Sequence, residues 1–227
     1  MKIVKTKEIT PKDITEVPEL LVDFNDRVKF HDGNIPSFFV YIQDYAWNAF
    51  WSHSHNVYKE IKHEAQGIFV GNYYKDKWGE FIVATRYYEG IGGSTSSFVE
   101  MSEECLAKIS EKCQKDDSLM LIWIHTHPGF GVFYSGTDSS CLRTNFYKPY
   151  QIGLVVDILQ KQIKGFKSNI SEVVEFTDYK LFNSKQSLLS DPFPTIKILK
   201  ESDRRFFELQ EENNQLKEEN ELLKKNY

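Results

Sequence analysis

Between residues 36 and 180, apolar and polar positions alternate in short blocks, and the blocks predict a core of mixed α and β structure. Residues 38–41 (FFVY) read as a short strand. Residues 44 to about 64 have helical length and are rich in aromatics. Two strands follow at 67–71 (GIFVG) and 81–88, with a polar turn around Asp76 between them. The stretch 90–97 (GIGGSTSS) predicts a flexible loop. Residues 102–115 read as a helix with Ser102 as N-cap, and Glu103 and Glu104 sit in the first turn, where the helix dipole favours negative charge. Residues 119–127 (LMLIWIHTH) predict a buried strand, 135 to about 145 a helix, and 151–159 (QIGLVVDIL) another strand. Gly165 and Ser168 punctuate the next stretch, and 173–176 is the last expected strand.

The pattern changes outside this core. Residues 1–35 mix charge with Pro11 and Pro18, and Pro36 stands at the border; they read as an N-terminal extension packed on the core. Residues 181–197 are polar and contain Asp191-Pro192-Phe193-Pro194, a stiff non-helical linker. Residues 198–227 hold no Gly or Pro. Phe206, Asn213, Asn220 and Tyr227 recur every seven residues, and so do Leu209, Leu216 and Leu223 three positions later. These are the a and d positions of a coiled coil, and Glu212 with Lys217 and Glu219 with Lys224 have the opposite signs that a parallel homodimer needs. The other reading of this tail is a single solvated helix lying on the core.

Composition narrows the class. A chain of 227 residues with 41% hydrophobic and 15% aromatic residues can bury a real core. With 28 basic and 33 acidic residues the net charge is −5, which argues against a nucleic-acid-gripping function. The longest strongly apolar run, 119–124, falls far short of the roughly 20 residues a membrane helix needs, and the N-terminus shows no secretory h-region. Three cysteines (Cys105, Cys113 and Cys141) without CxxC spacing fit reduced thiols in a cytoplasmic protein. Cys105 and Cys113 share one predicted helix, and all three read as buried or half-buried thiols.

The candidate chemistry lies in His125-Thr126-His127-Pro128-Gly129-Phe130-Gly131, followed by Ser135-Gly136-Thr137-Asp138. Side chains two apart on a strand share a face, so His125 and His127 project side by side where the strand leaves the core. Pro128 stops the ladder, and Gly129 and Gly131 let the chain turn sharply. A helix starting at Ser135 can then return Asp138 to the two imidazoles. Two histidines and an aspartate on the ends of rigid elements make a three-ligand site with a fourth position open, the arrangement of a catalytic zinc. Other readings stand beside this one: Ser135-x-x-Asp138 is also a capping-box-like helix start, and His-x-His on a strand can be incidental. His53-Ser54-His55 has the same spacing but falls in a predicted helix, where residues two apart do not share a face, so those two histidines are assigned to packing.

The string from His125 to Asp138 resembles the JAMM (MPN-plus) metalloprotease motif, His-Ser/Thr-His-Pro followed after about seven residues by Ser-x-x-Asp. The family's upstream Glu-x-x-Gly with an apolar strand behind it is matched by Glu64-Ala65-Gln66-Gly67-Ile68-Phe69-Val70-Gly71; nearby Glu60 lacks the glycine and the strand. The strand 151–157 is also family-like, and the resemblance covers about residues 36–180.

The resemblance implies an α/β MPN (cytidine-deaminase-like) domain, a central mixed sheet flanked by helices. His125, His127 and Asp138 would ligate one Zn²⁺ per chain, with a water in the fourth place. Glu64 would serve as general base and Ser135 as oxyanion donor. The implied activity is that of a zinc metallo-isopeptidase releasing a ubiquitin-like protein from lysine. The alternatives are a peptidase processing a ubiquitin-like or sulfur-carrier precursor, or a catalytically silent MPN scaffold. No histidine follows His127, so the second, structural zinc of some members is not expected. The short insertions look prokaryotic, which implies activating and conjugating enzymes as further partners. The 90–97 loop is the expected place of substrate contact; an ordinary hairpin loop is the alternative.

Overall fold

The computed structural model describes residues 9–13, 38–76, 79–94, 99–169 and 172–182. In chain order the strands are β1 (Lys12–Asp13), β2 (Phe38–Gln43), β3 (Gln66–Asp76), β4 (Gly79–Glu89), β5 (Gly92–Ser94), β6 (Val99–Met101), β7 (Leu119–Thr126), β8 (Ile152–Asp157), β9 (Gln162–Ser168), β10 (Val173–Phe176) and β11 (Tyr179–Phe182). The helices are α1 (Asp44–Ile61), α2 (Glu103–Lys115) and α3 (Gly136–Asn145). The fold is α/β, with a central mixed sheet flanked by helices. The sheet runs β10-β9-β8-β7-β3-β4-β2-β11, with β1 joined to the far end of β3, while β5 and β6 pair separately. β7–β8, β2–β4 and β2–β11 are parallel; β3–β4, β3–β7, β8–β9 and β9–β10 are antiparallel.

Burial of β3 on both faces explains its unbroken apolar run. Ile68 and Val70 face Cys105, Ile109 and Cys113 of α2, together with Trp123, Leu142 and Phe146. Phe69, on the opposite face, meets the α1 rings Trp47 and Phe50 at 6.3 and 6.1 Å. The sheet therefore has α1 on one face and α2 with α3 on the other. Its two ends also meet: β10 and β11 are joined by two residues, yet β10 pairs with β9 and β11 with β2. Phe38 and Phe176 lie 5.9 Å apart across that junction, with the Lys167 ammonium 3.7 Å from the Phe38 ring.

Several boundaries differ from the sequence expectation. α1 stops at Ile61, because Lys62 turns left-handed (φ 60) and frees the next residues to run extended into β3. Residues 92–94 of the expected loop are a strand paired with 99–101, and residues 95–98 lie outside the description. The stretch punctuated by Gly165 is itself a strand, β9, and Gly165 is required there: a Cβ would sit 2.4 Å from the Phe176 carbonyl oxygen. β11 carries the paired core past residue 180, into the predicted linker. In the N-terminal extension, β1 lies parallel to Tyr74 and Lys75, and Lys12 reaches Asn72 and Asp117. The proposed coiled coil lies outside the described residues. Among those described, no helix is long and apolar enough to cross a membrane.

Candidate metal centre

The site forms at the C-terminal ends of the parallel pair β7–β8, where the two strands end side by side. His125 sits in the last rungs of β7, and His127 extends the strand by donating its N–H to the Val156 carbonyl at 3.0 Å. Their side chains share one face, and the two Nε2 atoms lie 3.2 Å apart. Ser135 caps α3 with the predicted box: the Asp138 N–H donates to Ser135 Oγ at 3.1 Å, and the Ser135 N–H donates to Asp138 Oδ2 at 2.8 Å. The same carboxylate reaches the histidines, with Oδ1 3.4 Å from His125 Nε2 and Oδ2 3.6 Å from His127 Nε2. Cap and ligand are thus compatible roles for one side chain.

One ligand atom from each of His125, His127 and Asp138 lies within 4.8 Å of the others, and all three residues are buried. Two imidazole nitrogens and a carboxylate are a donor set suited to zinc and to related divalent ions. Both Nδ1 atoms are buried without a hydrogen-bond partner among the described residues. Ring packing therefore orients the imidazoles. His125 lies between Trp123 (4.5 Å, stacked) and Tyr134 (5.5 Å), and Phe133 covers His127 at 4.8 Å. Tyr134 can approach only because residue 153 is glycine; a Cβ there would meet its hydroxyl at 1.6 Å.

Glu64 enters from the extended segment between α1 and β3. It is 3% exposed, and its Oε1 stands 3.8 Å from His127 Nε2. Glu60, by contrast, is exposed on α1. Burial pushes the Glu64 carboxyl up to about 7, against the opposing pull of His127 and with the help of nearby Asp138. Burial also raises Asp138, but the His125 and His127 imidazoles that face it and the hydrogen bonding from Ser135 outweigh burial and hold that carboxyl well below the usual range. Burial lowers His125, which favours the neutral, metal-binding form. One carboxyl is therefore fixed as an anion while its neighbour is poised to exchange a proton near neutral pH.

No family model and no curated protein matches the chain. Among solved structures it is similar to the solution structure of protein DSY2949 from Desulfitobacterium hafniense, with 19% sequence identity and a TM-score of 0.48, over 63% of this chain and 93% of that one.

The other sequence candidates fall elsewhere. His53 bonds the Tyr87 hydroxyl at 2.8 Å, and His55 bonds the Trp51 carbonyl at 2.8 Å and packs on its ring; neither joins the metal group. Cys105 and Cys113 are buried, Cys141 is half-buried, and all three are free.

One residue had no assigned role in the sequence reading. Asp157, at the end of β8, is wholly buried. Its Oδ1 accepts from the Gly129, Leu159 and Gln160 amides, and its Oδ2 from Gly131, all at 2.8–3.0 Å. Burial raises this carboxyl, but the four amides bring it below its ordinary value. Two of these bonds fall on Gly129 and Gly131, whose φ values of 84 and 82 are the left-handed turns that carry the chain from His127 toward Ser135. The sequence signal for it is an acid inside the apolar run 151–159.

Proposed function

We propose that the chain is a zinc-dependent metallo-isopeptidase of JAMM/MPN-plus type, on an MPN core, which hydrolyses the bond between a ubiquitin-like protein's C-terminal tail and a lysine. The observation that carries the reading is the meeting of His125, His127 and Asp138 beside a buried glutamate shifted to about 7. His125 and His127 would hold the ion through Nε2 and Asp138 through its carboxylate. Zinc bound there would supply Lewis acidity and bring the pKa of a water to about 7.

Glu64 takes a proton at its carboxylate from the water that adds to the substrate carbonyl carbon and returns it to the lysine amine as the C–N bond breaks. A residue titrating near neutrality suits both halves of that exchange, since it must accept and then release within one turnover. Ser135 Oγ accepts from the Asp138 amide, and its hydroxyl would donate to the oxyanion developing on the substrate carbonyl. None of these residues becomes covalently attached to substrate. Gly90, which leads into the β5–β6 arm, donates its N–H at 2.9 Å to the carbonyl of Gln66, the residue paired with His125. An extended tail can add there as a further strand.

The test is an assay of the zinc-loaded protein on a lysine-linked ubiquitin-like conjugate and on a linear fusion, with elemental analysis. The expected result is one zinc per chain, cleavage of the lysine-linked bond, and loss of at least about 100-fold in rate for Glu64→Ala with its zinc retained. Cleavage of the linear fusion alone would reassign the protein as a precursor-processing peptidase. Full zinc without cleavage of either would make it a scaffold, and active protein without metal would overturn the site.

A further inference from the structure

Thr126 stands between the two histidines and is completely buried. Side chains alternate across a strand, so its hydroxyl faces away from the imidazoles. It meets the segment that delivers Glu64. The Ala65 N–H donates to Thr126 Oγ1 at 2.9 Å, and the Thr126 N–H donates to the Ala65 carbonyl at 2.9 Å. In an ordinary hydrogen-bonded antiparallel pair both bonds run between backbones. Here a side chain supplies one acceptor, just beyond Gln66–His125, where the β3–β7 ladder ends. The amide plane that holds the Ala65 N–H also contains the Glu64 carbonyl carbon and Cα, so the hydroxyl holds a nitrogen two covalent bonds from the Glu64 Cα.

We propose that Thr126 is a positioning residue that couples the base to the metal ligands: it is bonded in sequence to both histidines and fixes the peptide from which Glu64 projects. The inference rests on the hydrolase reading of Glu64. From its place between the two imidazoles, Thr126 carries a hydroxyl short enough to reach the opposing amide. A displacement of about 1 Å at a catalytic group can cost on the order of 100-fold in rate. Loss of the hydroxyl therefore acts on turnover while the three ligands stay in place.

The experiment compares T126V and T126S in the full chain. T126V keeps the shape and strands the Ala65 amide; T126S keeps the hydroxyl and loses a methyl group. Expected for T126V are unchanged zinc content, KM within about twofold, kcat down by about tenfold or more, and faster hydrogen exchange at the Ala65 amide. Expected for T126S is kcat within about threefold of wild type, even where its stability falls. Wild-type kcat in T126V, equal impairment in both variants, or unchanged Ala65 exchange in T126V would each overturn the proposal. If T126V does not fold, T126A against T126S isolates the hydroxyl, and equal kcat in that pair overturns it. A wild type that binds zinc and cleaves nothing defeats the hydrolase reading, and with it a catalytic purpose for Thr126. Exchange at Ala65 then still separates a real clamp from none.

Discussion

Glu64 and Asp138 are both buried carboxyls in one small space, and the difference between them comes from who donates to each. Asp138 receives a helix-cap amide and faces both imidazoles, so it remains ionised. Glu64 has a single imidazole at 3.8 Å, and burial dominates. For Glu64 the folded value, about 7, lies above the ordinary 4.5. The native state then holds the proton more tightly than the unfolded chain. This costs nothing below about 4.5, grows as pH climbs toward 7, and is fully present above 7. In metal-stripped protein, Glu64→Gln is therefore expected to be more stable than wild type at pH 8 by about 1–3 kcal/mol. The gap should close as pH falls through that window. Urea unfolding at several pH values in the presence of a chelator measures it, and a difference independent of pH would show that ionisation of Glu64 is not its source. His125 has the opposite dependence: its lowered value leaves stability intact above about 6.5 and erodes it in acid, as the unfolded chain takes up a proton that the buried ring refuses.

At the scale of the elements, the site depends on how loops are tied down. The turn after β7 is held by Asp157 through the Gly129 and Gly131 amides, while the same carboxylate takes the Leu159 and Gln160 amides of the turn after β8, and the first turn sets where α3 begins and so where Asp138 returns. Asp157→Asn replaces one acceptor oxygen with an NH₂ that faces donors. The expected outcome is a loss of at least about tenfold in zinc affinity by competition with a chromophoric chelator, together with lowered stability. Unchanged affinity would mean that the glycines alone shape the turn. This explains what the sequence made legible. Short-range signals came through: the Ser102 and Ser135 caps, the apolar runs of β2, β7 and β8, and the His-x-His followed by Ser-x-x-Asp, whose geometry is set within fourteen residues of chain. Long-range ties did not. Asp157 to Gly131 spans 26 residues and Ala65 to Thr126 spans 61, and no local periodicity encodes either. β9 was missed for a related reason: its partly buried positions do not alternate cleanly, and Gly165 marks close approach of another backbone rather than a break.

At the scale of the whole molecule, every residue placed at the site among the described residues lies between 64 and 157. The tail's own pattern argues for a separate task. Leucine at three successive d positions gives an apolar seam, while Asn213 and Asn220 at a positions favour two strands at some cost in stability. Three heptads form a marginal helix in isolation, so association must supply much of its stability, and dimerisation should be concentration-dependent. The Glu212–Lys217 and Glu219–Lys224 pairs would sit at the solvent-exposed rim, where salt screens them. Sedimentation of the full chain is therefore expected to show a monomer–dimer equilibrium weakened by high salt. A chain ending at residue 197 should sediment as a monomer and retain the full chain's zinc content. A full chain that remains monomeric at the highest concentrations would rule out the zipper and leave the reading of the tail as a solvated helix. Loss of zinc on truncation would show instead that the tail supports the site directly.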